Sequence, residues 1–174
     1  GAGGSTRGKT LEVLSRIRKT YPQLPVASHL TCVGATQDDI RAYVRDAQAE
    51  GVDYIVALRG DPPKGETTFT ATVGGLAYGN ELVAMLRAEF PGFGILVGGY
   101  PEKHPEAPSM QADLDNLKRK VDAGADAVIA QLFYDNDDFY RWRDRCGAAG
   151  ITVPIVPGLL PVTNLAQVKR ISSL

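Results

Sequence analysis

The sequence has few cysteines and no long apolar run. Its two cysteines, Cys32 and Cys146, lie far apart and have no metal-ligand pattern near them. Isolated thiols of this kind are typical of a reducing compartment, so we expect a cytoplasmic protein without a disulfide framework. No stretch approaches the roughly 20 apolar residues that a membrane-spanning helix needs, so we expect no membrane partner.

The sequence also has almost no net charge. Nineteen Lys and Arg residues face 20 Asp and Glu residues, which gives a formal net charge of −1. Nucleic-acid binding relies on a basic surface, and no local basic patch is evident, so we expect no nucleic-acid partner. The pairs Gly74-Gly75 and Gly98-Gly99 lack the spacing of a dinucleotide fingerprint, and a Rossmann site is therefore not supported.

What the sequence does have is a regular alternation of short apolar runs and helix-like segments. Five runs predict strands buried on both faces: Pro25–Leu30, Tyr54–Leu58, Gly94–Gly98, Ala127–Phe133 and Val153–Val156. Helical spacing and end signals, such as the capping box of Thr36 with Asp39, predict helices over about 36–51, 76–90, 109–123, 137–149 and 164–172. One more helix precedes the first strand. The order predicts a parallel α/β fold.

Two parallel architectures fit this order, a (β/α)8 TIM barrel and an open doubly wound sheet. Polar or turn residues follow every predicted strand, whereas an open sheet concentrates them at one switch point, which favours the barrel. A complete barrel needs about 250 residues. We therefore expect residues 1–174 to be a single, partial barrel segment of about five strand-helix units that lacks the amino- and carboxyl-terminal portions.

A cation and an anion follow the second predicted strand directly, in Arg59-Gly60-Asp61-Pro62-Pro63. At the mouth of a barrel Arg59 could bind a phosphate and Asp61 could tune a polar ring, while Gly60 lets the backbone approach a flat ligand. The alternative is that Arg59 and Asp61 pair with each other in a proline turn.

Both histidines, His29 and His104, fall at the ends of predicted strands. Each could be a hydrogen-bonded structural residue, but two from separate units favour a shared ligand. Metal binding is disfavoured because neither has an acidic or thiol partner at metal-ligand spacing.

Polar residues also interrupt two apolar patterns. Asp113, Asn116 and Lys120 fall along the flank of the helix over 109–123, which is either a solvated face or an edge that reaches the ribose or phosphates of a nucleotide cofactor. Gln131 lies inside an otherwise apolar strand, and it predicts a buried amide that pairs with the amide edge of a heterocycle.

These motifs, in this order, resemble those of methylenetetrahydrofolate reductases. The resemblance covers essentially the whole chain and rests on these segments together: His29–Cys32, Ala57–Pro62, Tyr100–Glu106, Gln111–Asp113 with Asn116–Ala125, Gln131–Asp135 and Pro157–Pro161. It implies a flavin-bearing (β/α)8 barrel that reduces 5,10-methylenetetrahydrofolate to 5-methyltetrahydrofolate. Such enzymes use FAD, reduced by NADH or NADPH, in the one-carbon metabolism that supplies methionine biosynthesis.

Carried over position by position, the resemblance implies FAD contacts at His29, Arg59, Gly60, Asp61, Tyr78, Gly79, Tyr100, His104, Ala107, Asp113, Asn116, Arg119 and Lys120. It implies that Asp61 is also the catalytic carboxylate, near both flavin and pterin, and that Gln131 and Gln167 contact the substrate. Ile171 stands where some relatives carry an aromatic side chain.

The resemblance also places the general-acid glutamate and a further folate-binding arginine outside these 174 residues. We therefore expect this chain alone to turn over poorly and to form homo-oligomers through its exposed strand edges. Two alternatives stay open: a reduced-folate-binding barrel of the corrinoid methyltransferase type, and a binding-only fragment. Only a nucleotide cofactor gives the flank from Asp113 to Lys120 a purpose.

Overall fold

Helices and strands alternate along the chain in the computed structural model, which describes residues 7–62, 65–66 and 68–171. The elements are α1 (Arg7–Thr20), β1 (Ala27–Thr31), α2 (Gln37–Ala49), β2 (Tyr54–Leu58), α3 (Gly79–Glu89), β3 (Gly94–Gly99), α4 (Met110–Asp122), β4 (Ala127–Ala130), α5 (Asn136–Ala148), β5 (Ile155–Val156) and α6 (Leu165–Ile171). Pro63, Ser172 and the side chain of Ile171 lie outside the described residues. None of the described helices combines the length and apolar character that crossing a bilayer requires.

The five strands form one parallel sheet in the order β1-β2-β3-β4-β5. A doubly wound sheet reverses its strand order at a switch point, so the sequential order excludes that alternative for the described strands. Right-handed crossovers then place successive helices side by side on one face, as the contacts of α1 with α2 and of α3 with α4 show. The structure is an arc of a (β/α)8 barrel, which confirms the predicted fold class.

Alternate strand residues form the core between the sheet and the helices. The strand register aligns Leu30, Ala57, Val97 and Val128 in one row, and each is at most 1% exposed. The opposite face of the sheet, which carries His29 next to Val56 in β2, corresponds to the interior of a barrel. The core therefore lies on one face of the sheet. Because all strands run in parallel, their amino-terminal ends form one edge of the sheet and their carboxyl-terminal ends form the other.

Local side-chain contacts fix where the helices begin. The predicted capping box of α2 is confirmed, because the Asp39 N–H donates to the Thr36 hydroxyl (3.2 Å) and the Thr36 N–H donates to the Asp39 carboxylate (2.9 Å). Helix α3 begins three residues later than predicted. The Glu81 carboxylate accepts hydrogen bonds from the N–H groups of Ala77 (2.7 Å) and Tyr78 (3.2 Å), which fixes the start at Gly79.

The fourth strand is shorter than predicted. It ends at Ala130 instead of Phe133, since its neighbour β5 is only two residues long and pairs with it at Val128 and Ile129 alone. Gln131 therefore lies beyond the strand and is exposed. The prediction of a buried amide at Gln131 is wrong.

Two aspartates brace the amino-terminal edge of the sheet in the same way. Asp53 precedes β2, accepts a hydrogen bond from the backbone N–H just before β1 (2.8 Å) and pairs with Arg18 of α1 (3.2 Å). Asp126 precedes β4, accepts from the Ile95 N–H (2.7 Å) and pairs with Arg87 of α3 (2.7 Å). These polar residues serve stability, which leaves the opposite edge for a ligand.

Replacing Asp126 with alanine should therefore destabilise the fold. The change leaves the Ile95 N–H without its acceptor and Arg87 with only the Gly124 carbonyl oxygen as a partner, so we expect urea unfolding to show a loss of about 1–2 kcal/mol. The matched control is Asp122→Ala, which removes an exposed carboxylate whose partner is Lys118 one helical turn away, and it should cost less than about 0.5 kcal/mol. Equal losses for the two variants would contradict the bracing role of Asp126.

Candidate functional site

Three residues predicted for the site follow neighbouring strands at the carboxyl-terminal edge of the sheet. Asp61 follows β2, His104 follows β3 and Gln131 follows β4. Because these strands are adjacent in the sheet, their loops lie side by side. The Gln131 N–H donates to the Gly99 carbonyl oxygen (2.7 Å), directly before Tyr100. Ligands of parallel α/β proteins collect at this edge.

Arg59 is held by contacts from both sides of its guanidinium group. Its two terminal nitrogens donate to the two carboxylate oxygens of Glu106 (2.6 and 2.7 Å), and its Nε donates to the Gly60 carbonyl oxygen (3.3 Å). The guanidinium carbon lies 4.9 Å from the centre of the Phe69 ring. The hydrogen bonds that Arg59 donates to Glu106 raise the pKa of Arg59 above its ordinary value. The ion pair of Arg59 is thus with Glu106, and the alternative of a pair with Asp61 is wrong.

A chain of hydrogen bonds continues from Glu106 through His104 to α4. The backbone N–H of Glu106 donates to the ring nitrogen Nδ1 of His104 (3.1 Å), and the backbone N–H of His104 donates to the Asp113 carboxylate (3.0 Å). The His104 ring packs edge-on against Tyr100 at 4.6 Å between centroids. Because Nδ1 accepts a hydrogen bond, the proton of the neutral ring sits on Nε2, which can donate to a ligand.

Lys103 fixes the shape of the loop that carries His104 and Glu106. Its backbone has φ +80°, a left-handed conformation that costs a non-glycine residue about 1 kcal/mol or more. Its ammonium group donates to the carbonyl oxygens of His104 (3.0 Å), Pro105 (3.4 Å) and Ala107 (2.6 Å), which offsets that cost. The hydrogen bonds of the Lys103 ammonium group therefore stabilise the conformation of this loop.

The side chain of Tyr100 is largely buried and lies near the carboxylates of Asp61 and Asp113. Burial raises the pKa of its hydroxyl, and the negative charges of Asp61 and Asp113 raise it further. The carboxylate of Asp113 belongs to a residue that is only 9% exposed. Tyr100 therefore offers a neutral hydroxyl to a ligand.

Lys120 reaches from α4 back to the sheet. Its ammonium group donates to the Gly98 carbonyl oxygen (2.5 Å), and burial lowers its pKa from 10.5 to about 8, against the opposing effect of Asp113. The burial of Asp113 and the contact of Lys120 with the sheet do not fit a solvated face for these two residues. Asn116 of the same flank is exposed and accepts a hydrogen bond from the exposed Arg119 (2.8 Å).

Two glycines lie next to these charged residues. Gly60 has φ +92°, and a Cβ there would lie only 3.0 Å from a methyl group of Val33, so a larger residue would be strained and crowded. A Cβ on Gly79 would lie 3.7 Å from the Arg59 backbone nitrogen and 3.6 Å from Lys120 Cδ, which are ordinary van der Waals distances. Gly79, at the start of α3, therefore lies next to both Arg59 and Lys120.

Other predicted residues are not part of this connected group. His29 lies in the middle of β1 on the interior face, not at a strand end, and partial burial lowers its pKa. The Gln167 side chain accepts from the N–H (3.2 Å) and hydroxyl (2.8 Å) of Thr163, so it caps α6. Tyr78 is 62% exposed. Ala107, in contrast, is buried and joins the group through its backbone, whose N–H donates to the His104 carbonyl oxygen (3.0 Å). In the described part of the chain, no three His, Cys, Asp or Glu residues are grouped to hold a metal.

Three residues of the site were not assigned from the sequence: Glu106, Lys103 and Phe69. Glu106 falls within the segment Tyr100–Glu106, and its charge, opposite to that of Arg59 on the neighbouring strand end, is a signal that could have found it. Lys103 and Phe69 carry no such signal, because a left-handed lysine and a ring 10 residues after Arg59 have no characteristic pattern.

The fold defines the class of protein: an arc of a (β/α)8 barrel, with a cluster of polar and charged side chains at the carboxyl ends of its strands. Solved structures with the same fold include phosphonopyruvate hydrolase (TM-score 0.64, 16% identity, 99% of this chain and 65% of that one). A 2,3-dimethylmalate lyase of the PEP mutase/isocitrate lyase superfamily is similar as well (TM-score 0.61, 11% identity, 98% and 64%). At these identities the likeness concerns the fold alone.

The chain belongs to the methylenetetrahydrofolate reductase family, whose sequence pattern matches residues 1–174. It is 46% identical over 174 residues to the 5,10-methylenetetrahydrofolate reductase of Escherichia coli (strain K12), covering 100% of this chain and 56% of that protein. It is 42% identical over 182 residues to methylenetetrahydrofolate reductase (NADH) 1 of Zea mays, covering 99% of this chain and 30% of that protein. The chain thus spans 56% of the length of the bacterial relative and 30% of the length of the maize relative.

The buried amine of Lys120 predicts a stability that rises with pH. Between about pH 8, its pKa in the folded state, and 10.5, its ordinary value, the unfolded chain holds a proton that the folded chain has released. The free energy of unfolding should therefore increase across this window. Urea unfolding of the wild type and of Lys120→Met at pH 7.5 and 9.5 checks this.

The difference in stability between wild type and Lys120→Met should shift in favour of the wild type at the higher pH. The control is Lys118→Met, which alters a surface lysine of the same helix. If the wild type and Lys120→Met respond to pH identically, the ammonium group of Lys120 is not withdrawn from water as described.

Proposed function

We propose that this chain binds FAD at the carboxyl-terminal edge and takes part in the reduction of 5,10-methylenetetrahydrofolate to 5-methyltetrahydrofolate. Membership of the family supports the reaction. The observation that carries the cofactor assignment is the proximity of two cationic residues, Arg59 and Lys120, which both lie next to Gly79 at the start of α3. These positions are three of those that the family resemblance assigns to FAD.

The donor set fits the diphosphate of FAD. Guanidinium and ammonium groups are side-chain groups that bind phosphate oxygens, and the N–H groups of Gly79 and Asn80 at the start of α3 add a partial positive charge. Among the described contacts, the ammonium group of Lys120 donates one hydrogen bond, to Gly98. Two of its three N–H groups therefore remain to bind an anion.

The groups beyond Gly79 fit the polar edge of a flavin ring. His104 offers Nε2–H, Tyr100 offers a neutral hydroxyl, and Asp61 adds a negative charge near Tyr100. When bound, FAD supplies hydride transfer from a reduced nicotinamide to the folate. The protein's own residues hold, orient and electrostatically tune the reactants.

Asp61 has the clearest chemical task in this proposal. Opening of the five-membered ring of the folate creates a cationic iminium, which a nearby carboxylate stabilises. The exposed amide of Gln131, which follows β4 on the other side of β3, can pair with the amide edge of the pterin. We propose NADH as the electron donor, which the name of the maize relative specifies for that protein, with NADPH as the alternative.

A visible spectrum of the purified protein with added FAD tests the proposal. We expect bound-flavin absorption that is retained on desalting, bleached anaerobically by NADH and restored by 5,10-methylenetetrahydrofolate. Bleaching without restoration would support flavin binding but not the folate reaction. A protein that takes up no FAD would contradict the cofactor assignment and favour a folate-binding barrel without redox chemistry.

Replacing Asp61 with asparagine should slow the folate half-reaction by at least about tenfold, because the carboxylate stabilises positive charge in its transition state. Stopped-flow reoxidation of the NADH-reduced protein by 5,10-methylenetetrahydrofolate measures this step. The control is Asp115→Asn, which removes an exposed carboxylate of α4 and should leave the rate unchanged. This carboxylate accepts a hydrogen bond from Gln111, one turn earlier in the same helix (2.8 Å). An unchanged rate in Asp61→Asn would remove Asp61 from the reaction.

A further inference from the structure

The Glu106 carboxylate occupies both terminal nitrogens of Arg59. Both terminal nitrogens of Arg59 donate to the two carboxylate oxygens at 2.6 and 2.7 Å, which is the arrangement that a phosphate would also adopt. The two residues are 47 positions apart and come from the loops after β2 and β3. A carboxylate therefore occupies the place where an anionic ligand would meet Arg59.

The pair is open to replacement from solvent. The Glu106 side chain is 46% exposed, whereas that of Arg59 is 24% exposed and rests on Phe69. Glu106 is anchored through its backbone, whose N–H donates to His104 (3.1 Å), so its carboxylate can rotate away without moving the loop. An ion pair this exposed contributes little to stability and is cheap to exchange.

The charges around Arg59 indicate how such an exchange would affect ligand binding. Glu106 is the anion in direct contact with Arg59, and the anions Asp61 and Asp113 belong to the same group of residues. With Glu106 in place, its carboxylate offsets the charge of Arg59 that a ligand phosphate would meet. Rotation of Glu106 towards water leaves the buried side of the site positive.

We propose that Glu106 is an internal substitute for the ligand's phosphate, which holds Arg59 in its binding geometry and is displaced when the phosphate arrives. This inference rests on the proposed function, since it takes the FAD diphosphate as the displacing anion. Glu106 acts through Arg59 and is a positioning residue that also sets the affinity. Its presence keeps the arginine ordered at the cost of weaker ligand binding.

The test compares Glu106→Gln with wild type by titration with FAD and with riboflavin, which has the same ring but no phosphate. We expect Glu106→Gln to bind FAD about fivefold more tightly, because the competing charge is gone, and riboflavin within about twofold of wild type. A merely structural role would shift both ligands alike. The gain should disappear in an Arg59→Gln background.

Glu102→Gln is the matched control, since it removes the same charge from an exposed position of the same loop. It should change FAD binding by less than about twofold. Weaker or unchanged FAD binding by Glu106→Gln, or an equal gain for riboflavin, would overturn the inference while leaving the proposed function intact.

If wild type binds no FAD, the proposed function fails, and inorganic pyrophosphate then tests Glu106 by itself. Tighter binding of pyrophosphate by Glu106→Gln than by wild type would support displacement at Arg59. Equal binding, or none by either protein, would overturn it.

Discussion

Parallel pairing of β2 with β3 is the constraint on which the site depends. The register runs from Tyr54 opposite Gly94 to Ala57 opposite Val97, so the two strands end at nearly the same height. The loops that follow must then meet, and the pair of Arg59 with Glu106 forms between them across 47 residues of sequence. No local propensity could bring these two side chains together.

The two edges of the sheet use charge in opposite ways. At the amino-terminal edge, Asp53 and Asp126 each bind a strand amide and an arginine, so their hydrogen-bonding capacity is spent on the fold. At the carboxyl-terminal edge, the ammonium group of Lys120 is withdrawn from water and donates to a single carbonyl. Burying a cation with so few partners is costly, and an anionic ligand would offset that cost. The contrast fits a stabilising edge and a binding edge.

Most of the fold could be predicted from the sequence because its determinants are local. Apolar runs mark the strands, and Thr36 with Asp39 specifies a helix start within four residues. The prediction that the strands are buried on both faces is wrong, since alternate residues of β1, β3 and β4 are exposed or half-buried on the face opposite the helices. The end of β4 could not be predicted, since it depends on the length of β5, whose residues pair with positions 27 residues earlier in the chain. Gln131 was misjudged for that reason. Likewise, the burial of Asp113 and Lys120 follows from how α4 packs on β3, which helical projection does not reveal.

The central claim is that one edge of the sheet binds the cofactor, and amide chemical-shift mapping of the isotope-labelled protein tests it most directly. On titration with FAD, the largest shifts should fall on residues 59–61, 78–79, 98–107 and 113–120, with little change around Asp53 and Asp126. Shifts concentrated at the amino-terminal edge or on the outer helices, or no shifts at all, would contradict the account.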